Sequence, residues 1–110
     1  MSENREPDYL YMTSIGRKTG NPHQIEIWFV QHDGCYYLVN ENGQSDWLRN
    51  IIVTPTVTFS IGSRPAPPVD GSARVVDPTA EPELAQTVTA LMNSKYQWGE
   101  GTIVEIKPTG

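Results

Sequence analysis

The stretch YLYMTSIGRKTGNPHQIEIWFVQHDGCYYLV, residues 9–39, decides how this chain is read. Its opening, YLYMTSI (9–15), is rich in aromatic and β-branched types and reads as a strand ending at Gly16. HQIEIWFVQ (23–31) alternates: Ile25, Ile27 and Phe29 fall on one side, and Gln24, Glu26, Trp28 and Val30 on the other. His32-Asp33-Gly34 is a turn, and CYYLVN (35–40) is the return strand. GRKTGNP (16–22) is then the loop between the first two strands. Two of the chain's eight cations, Arg17 and Lys18, stand side by side in it.

Beyond residue 40 the pattern changes. In ENGQSDWLRNIIVTP, Ser45 or Asp46 is placed to cap a short helix. Trp47, Leu48, Ile51 and Ile52 share one face of it, and Thr54-Pro55 stops it. TVTFSI (56–61) is another strand, GSRPAPPVDG (62–71) a stiff loop, and SARVVD (72–77) the next strand. The segment from Asp77 to Gln97 is the main helix, with Asp77 or Thr79 as its cap and Leu84, Val88, Leu91 and Met92 as its buried stripe. Glu81 and Glu83 lie near its start, where the helix dipole favours them. TIVEIK (102–107) is the last strand. About six short antiparallel strands with hairpin-length links, one main helix and one short helix predict a mainly β (α+β) fold: a small barrel in a single domain over 9–108. Residues 1–8 read as a disordered lead.

The 110 residues suffice for one core, with little left to wall a deep pocket. Thirteen acids against eight Lys and Arg give a net charge of −5, which opposes general nucleic-acid binding and docking to an anionic membrane. Cys35 is the single cysteine, so no internal disulfide forms, as suits a reducing cytosol. MSENREPDY is polar and lacks a signal peptide's apolar stretch, and no apolar run approaches the ~20 residues that span a bilayer. These features predict a cytoplasmic protein.

The cationic turn is not a P-loop, because the G-x-x-x-x-G-K-[ST] spacing is missing and a strand follows it. It still carries anion-binding chemistry. A glycine-flanked turn aims peptide N–H groups outward, Arg17 offers a planar fork, Lys18 a mobile charge, and Thr13, Ser14 and Thr19 hydroxyls. The competing reading is a solvated hairpin loop whose cations keep a strand edge soluble. His23, His32 and Cys35 fit no metal-site spacing, and no nucleophile motif orders a hydrolytic triad. Tyr96 and Trp98 follow the main helix and suit either a flat-ligand cleft or a cap over the barrel end.

The stretch also resembles the opening of the deazaflavin-dependent nitroreductases, split-barrel proteins related to pyridoxamine-phosphate oxidases. Thr13, Gly16, Arg17, Lys18, Thr19, Gly20, Pro22 and Asp33-Gly34 match that family's first motif. Trp47, Asn50 and Pro55 match its tryptophan helix, and the order of elements agrees over residues 9–108. The resemblance implies a split β-barrel, sites for coenzyme F-420 at the turn and in the loop before the tryptophan helix, and hydride transfer to a flat quinone or nitroaromatic. It places Thr13, Ser14, Gly16, Arg17, Lys18, Thr19, His23, Asn42, Trp47 and Asn50 at the cofactor, Trp98 beside the acceptor and Tyr96 as a proton or hydrogen-bond donor. A homodimer is expected on separate grounds, since a second subunit would supply the missing wall and cover apolar surface. The alternatives are an FMN-binding split barrel and a non-catalytic module that binds a small ligand or a partner.

Overall fold

The computed structural model describes residues 8–41, 45–63 and 65–109. The chain forms β1 (Tyr9–Ile15), β2 (Pro22–Trp28), β3 (Val30–His32), β4 (Cys35–Asn40), α1 (Asp46–Val53), β5 (Thr56–Ile61), β6 (Val69–Val76), α2 (Pro82–Tyr96) and β7 (Thr102–Pro108). All seven strands join one antiparallel sheet in the order β2-β1-β5-β6-β7-β4-β3.

Strand alternation gives this sheet two buried faces. On the inner face, Leu10, Met12, Leu38, Val57, Phe59, Ala73, Val104 and Ile106 meet Trp47, Leu48 and Ile51 of α1. On the outer face, Val30, Tyr37, Val39, Val76 and Ile103 meet Ala85, Val88 and Met92 of α2. The buried stripe of α2 therefore uses Ala85, while Leu84 and Leu91 lie at its margins. In α1, Asn50 is buried and Ile52 is 64 % exposed, contrary to the apolar face expected from the sequence.

The expected strand 23–31 is interrupted at Phe29, giving seven strands where about six were expected. Phe29 is buried, and its peptide groups are spent on α2. Its N–H donates to Tyr96 Oη (3.1 Å), and its carbonyl accepts from Tyr96 Oη (2.8 Å) and Lys95 Nζ (3.0 Å). The expected closed barrel is corrected accordingly. The edge strands β2 and β3 do not pair with each other, and what joins them is the chain itself at Phe29.

The β3–β4 hairpin turns at Asp33 and Gly34, both with positive φ, as a two-residue turn requires. Asp77 does not cap α2. Its carboxylate accepts from the Thr79 N–H (2.9 Å) in the turn before the helix, and the N-cap position is Glu81. Arg74 ties that end of α2 to the sheet by reaching Glu81 (2.7 Å) and Glu105 (2.9 Å).

Candidate functional site: a cationic turn against the short helix

The turn after β1 is closed by its own backbone. The Gly16 N–H donates to the Asn21 carbonyl and the Gly20 N–H to the Gly16 carbonyl, both at 2.8 Å. Gly20 has φ +76°, which favours glycine. A Cβ at Gly16 would stand 2.9 Å from His23 Nε2, so glycine lets the imidazole lie against the turn. Thr19 Oγ1 accepts from the Asn21 N–H (3.2 Å).

The turn is docked on α1 through Arg17. Asn50 Oδ1 accepts from the Arg17 peptide N–H (3.1 Å) and from Arg17 Nη1 (2.9 Å). Asp46 offers its carbonyl to Nη1 and its carboxylate to Nη2, both at the longer distance of 3.5 Å. Asn50 is buried because it is the receptor for the turn, which explains a polar residue on the inner side of α1. Lys18 is exposed and has no partner among the described residues.

Between turn, β2 and α1 lies a cavity of about 430 Å³. Gly16, Arg17, Lys18, Thr19, His23, Trp47 and Asn50 line it, all expected from the sequence. Gln24, Ile25 and Asp46 complete the lining and were not among the expected site residues. Ile25 was visible as an inward position of β2. The contact of Asp46 with Arg17 gives no local signal, because it spans 29 residues.

A second cavity of about 460 Å³ is lined by Ile27, Trp28, Val39, Asn40, Glu41 and Trp98. Ile25 and Ile27 share one face of β2 about 7 Å apart, so the two cavities follow the same strand. Asn40 Nδ2 donates to Ser45 Oγ (2.6 Å), linking this wall to the start of α1. Ser45 is the N-cap residue but makes no side-chain capping bond.

Three expected site residues lie elsewhere. Ser14 is wholly buried on the inner face, and its Oγ has no partner among the described residues. Thr13 faces the other side of β1 and lines neither cavity. Tyr96 lines neither cavity as well. Its hydroxyl oxygen accepts from the Phe29 N–H, its single proton is shared between the Phe29 carbonyl (2.8 Å) and the Asp8 carbonyl (2.6 Å), and its ring stacks on Trp28 at 4.5 Å. Trp98 meets Trp28 edge-on at 6.0 Å. Asn42 lies outside the described residues.

Perturbed titrations sit away from both cavities. Burial pushes the Glu105 carboxyl up, but hydrogen bonds from Arg74 and Tyr37 outweigh it and hold the group below the usual carboxylate range. The same Arg74 lowers Glu81. Burial and then the Glu105 bond raise Tyr37, and burial raises the Cys35 thiol, which disfavours a reactive thiolate. Among the described residues no group of three His, Cys, Asp or Glu could hold a metal, and no helix is long and apolar enough to cross a membrane.

The turn's donors suit an anion, and Ile25 and Trp47 supply apolar surface beside it. This donor set fits a phosphoryl group with a flat attachment.

Comparison with solved structures bears on the fold. The heme storage protein HutZ from Vibrio cholerae superposes with a TM-score of 0.77 at 20 % identity, covering 96 % of this chain and 84 % of that one. A FAD-binding protein from Mesorhizobium loti gives 0.74 at 11 %, covering 97 % and 83 %. An F420 reductase gives 0.62 at 19 %, covering 100 % and 97 %. These likenesses place the fold with the split-barrel proteins. No curated protein matches the sequence closely enough to count as a relative. The model of the F420H(2)-dependent quinone reductase family matches residues 3–107, and the chain belongs to that family.

Proposed function

We propose that this protein is an oxidoreductase that uses reduced coenzyme F-420 to reduce a small flat acceptor, such as a quinone or a nitroaromatic. The observation that carries the reading is the cavity at the cationic turn, in a chain of net charge −5 that belongs to an F-420-dependent family. When bound, the cofactor supplies a hydride. The protein's part is placement. Lys18 and the outward edge of Arg17, which Asp46 contacts at 3.5 Å, hold the phosphoryl group, Asn50 fixes Arg17, and Trp47 and Ile25 bear on the organic portion. Trp28 and Trp98 wall the acceptor side, with Tyr96 stacked behind Trp28 as a buttress. Excluding water there protects the hydride donor.

The exposed Ile52 and Val53 on α1 favour a homodimer that covers them, and the net charge of −5 favours small-molecule partners over nucleic acid. The test is to mix purified protein, reduced F-420 and menadione, and to follow cofactor absorbance. Acceptor-dependent oxidation is expected, with Arg17→Ala plus Lys18→Ala raising KM for the cofactor. Absence of turnover with any quinone or nitroaromatic would contradict it. Turnover with reduced FMN alone would move the protein to the flavin branch.

A further inference from the structure

We propose that Asp46 is the specificity-determining residue of the cationic cavity: it is the resident counter-ion of Arg17, and it makes the site take a phosphoryl group and refuse a carboxylate. The proposal deepens the reading of this cavity as the cofactor's phosphoryl site, and it rests on that reading.

The geometry around Arg17 separates a fixed contact from a displaceable one. Asn50 Oδ1 holds Nη1 at 2.9 Å from a buried position. Asp46 holds Nη2 at 3.5 Å, with its own side chain 86 % exposed. An exposed ion pair at that length is weak and gives way to a better partner. Asn50 therefore orients the guanidinium permanently, whereas Asp46 occupies its outward edge until a ligand arrives. Arg17 is only 21 % exposed, so little of its side chain is open to an anion, and Asp46 contacts the outward nitrogen Nη2.

What can displace Asp46 follows from its chemistry. A free carboxylate brings the same charge and the same two-oxygen fork that Asp46 already offers. It also loses translational freedom, which a tethered side chain has already lost. A phosphoryl group brings oxygens in a tetrahedral array, able to face Arg17 and Lys18 together, and a monoester adds a second charge. Lys18 makes the difference, because it has no partner to give up among the described residues. With Arg17, Lys18 and Asp46 on its wall, the cavity carries one net positive charge from these three groups. Removing the carboxylate doubles it and ends the discrimination.

The experiment measures thermal stabilisation by inorganic phosphate and by acetate, at matched ionic strength, on the wild type, Asp46→Asn and Asp46→Ser. Wild type should respond to phosphate and not to acetate. Both variants should bind phosphate about fivefold more tightly and acquire an acetate response. Lys18→Ala should lose the phosphate response. Variants that behave like wild type would overturn the proposal, as would an equal acetate response in wild type or no phosphate response in any protein. F-420 titrated in parallel separates this from the functional reading. If the anion discrimination is found and F-420 does not bind, Asp46 keeps its role and the cofactor assignment falls. If F-420 binds and Asp46→Asn changes nothing, the cofactor assignment stands and the proposal falls.

Discussion

Lys18 and Asn50 act on the same cavity by different physics. Lys18 is exposed and unpartnered among the described residues, so its loss touches the ligand and hardly the fold. Lys18→Ala should weaken F-420 binding about tenfold or more, roughly 1.4 kcal/mol, and flatten its salt dependence, with stability within about 0.5 kcal/mol of wild type. Isothermal titration at two salt concentrations checks the first part and urea unfolding the second. Asn50→Ala does the opposite: it strips the Arg17 peptide N–H and Nη1 of one shared acceptor. It should cost about 1–3 kcal/mol in urea unfolding. The sequence exposed Arg17 and Lys18 as a pair but not their unequal roles, because Asn50 and Asp46 reach Arg17 only after α1 folds back on the turn. Ser14 shows the same limit. Its hydroxyl counted as a donor on paper, and strand parity turns it into the core.

At the scale of elements, most of the pattern was legible where one face is buried. β1, β4 and β5 appear at their expected residues because apolar and polar positions alternate. The break at Phe29 was not legible, since the apolar run over residues 27–30 continues through it and the interruption comes from Tyr96 and Lys95, far along the chain. The beginning of β6 at Val69 was hidden by the prolines of the preceding loop. Tyr96→Phe tests the staple. Removing the hydroxyl leaves the Phe29 N–H and carbonyl underbonded, so stability should fall by about 1–2 kcal/mol and amide exchange at Phe29 should quicken. Turnover with saturating cofactor should be unchanged, whereas a proton-donating role for Tyr96 would appear as a loss of kcat. The Arg74 clamp gives a second test. Glu105 and Glu81 have folded-state pKa values below their unfolded ones. Their contribution is therefore present above the ordinary carboxylate range and is lost as pH falls through the folded values. Stability should decline below about pH 4.5, and Glu105→Gln should remove much of that decline while costing about 1–2 kcal/mol at neutral pH. Urea midpoints across pH 3–7 read both effects.

For the molecule as a whole, one curled sheet explains why a small acidic chain can own a cationic site. The inner face is filled by α1, the outer by α2, and the turn after β1 is left where β2 and α1 meet. The single-sheet architecture was close to the barrel expected, because alternation and short links specify a curled antiparallel sheet. Its lack of hydrogen-bonded closure depends on a tertiary contact at Phe29. The mass of the assembly belongs to this scale too. Sedimentation equilibrium should give twice the 12.3 kDa chain, with Ile52→Lys plus Val53→Lys reverting it to one chain. The claim that the turn is a cofactor phosphoryl site is tested most directly by equilibrium binding of F-420 to the wild type and to Lys18→Ala, at low and moderate salt. Binding to the wild type should weaken with salt and be largely lost in the variant. Binding that ignores both salt and Lys18, or no binding to the wild type at any salt, would contradict it.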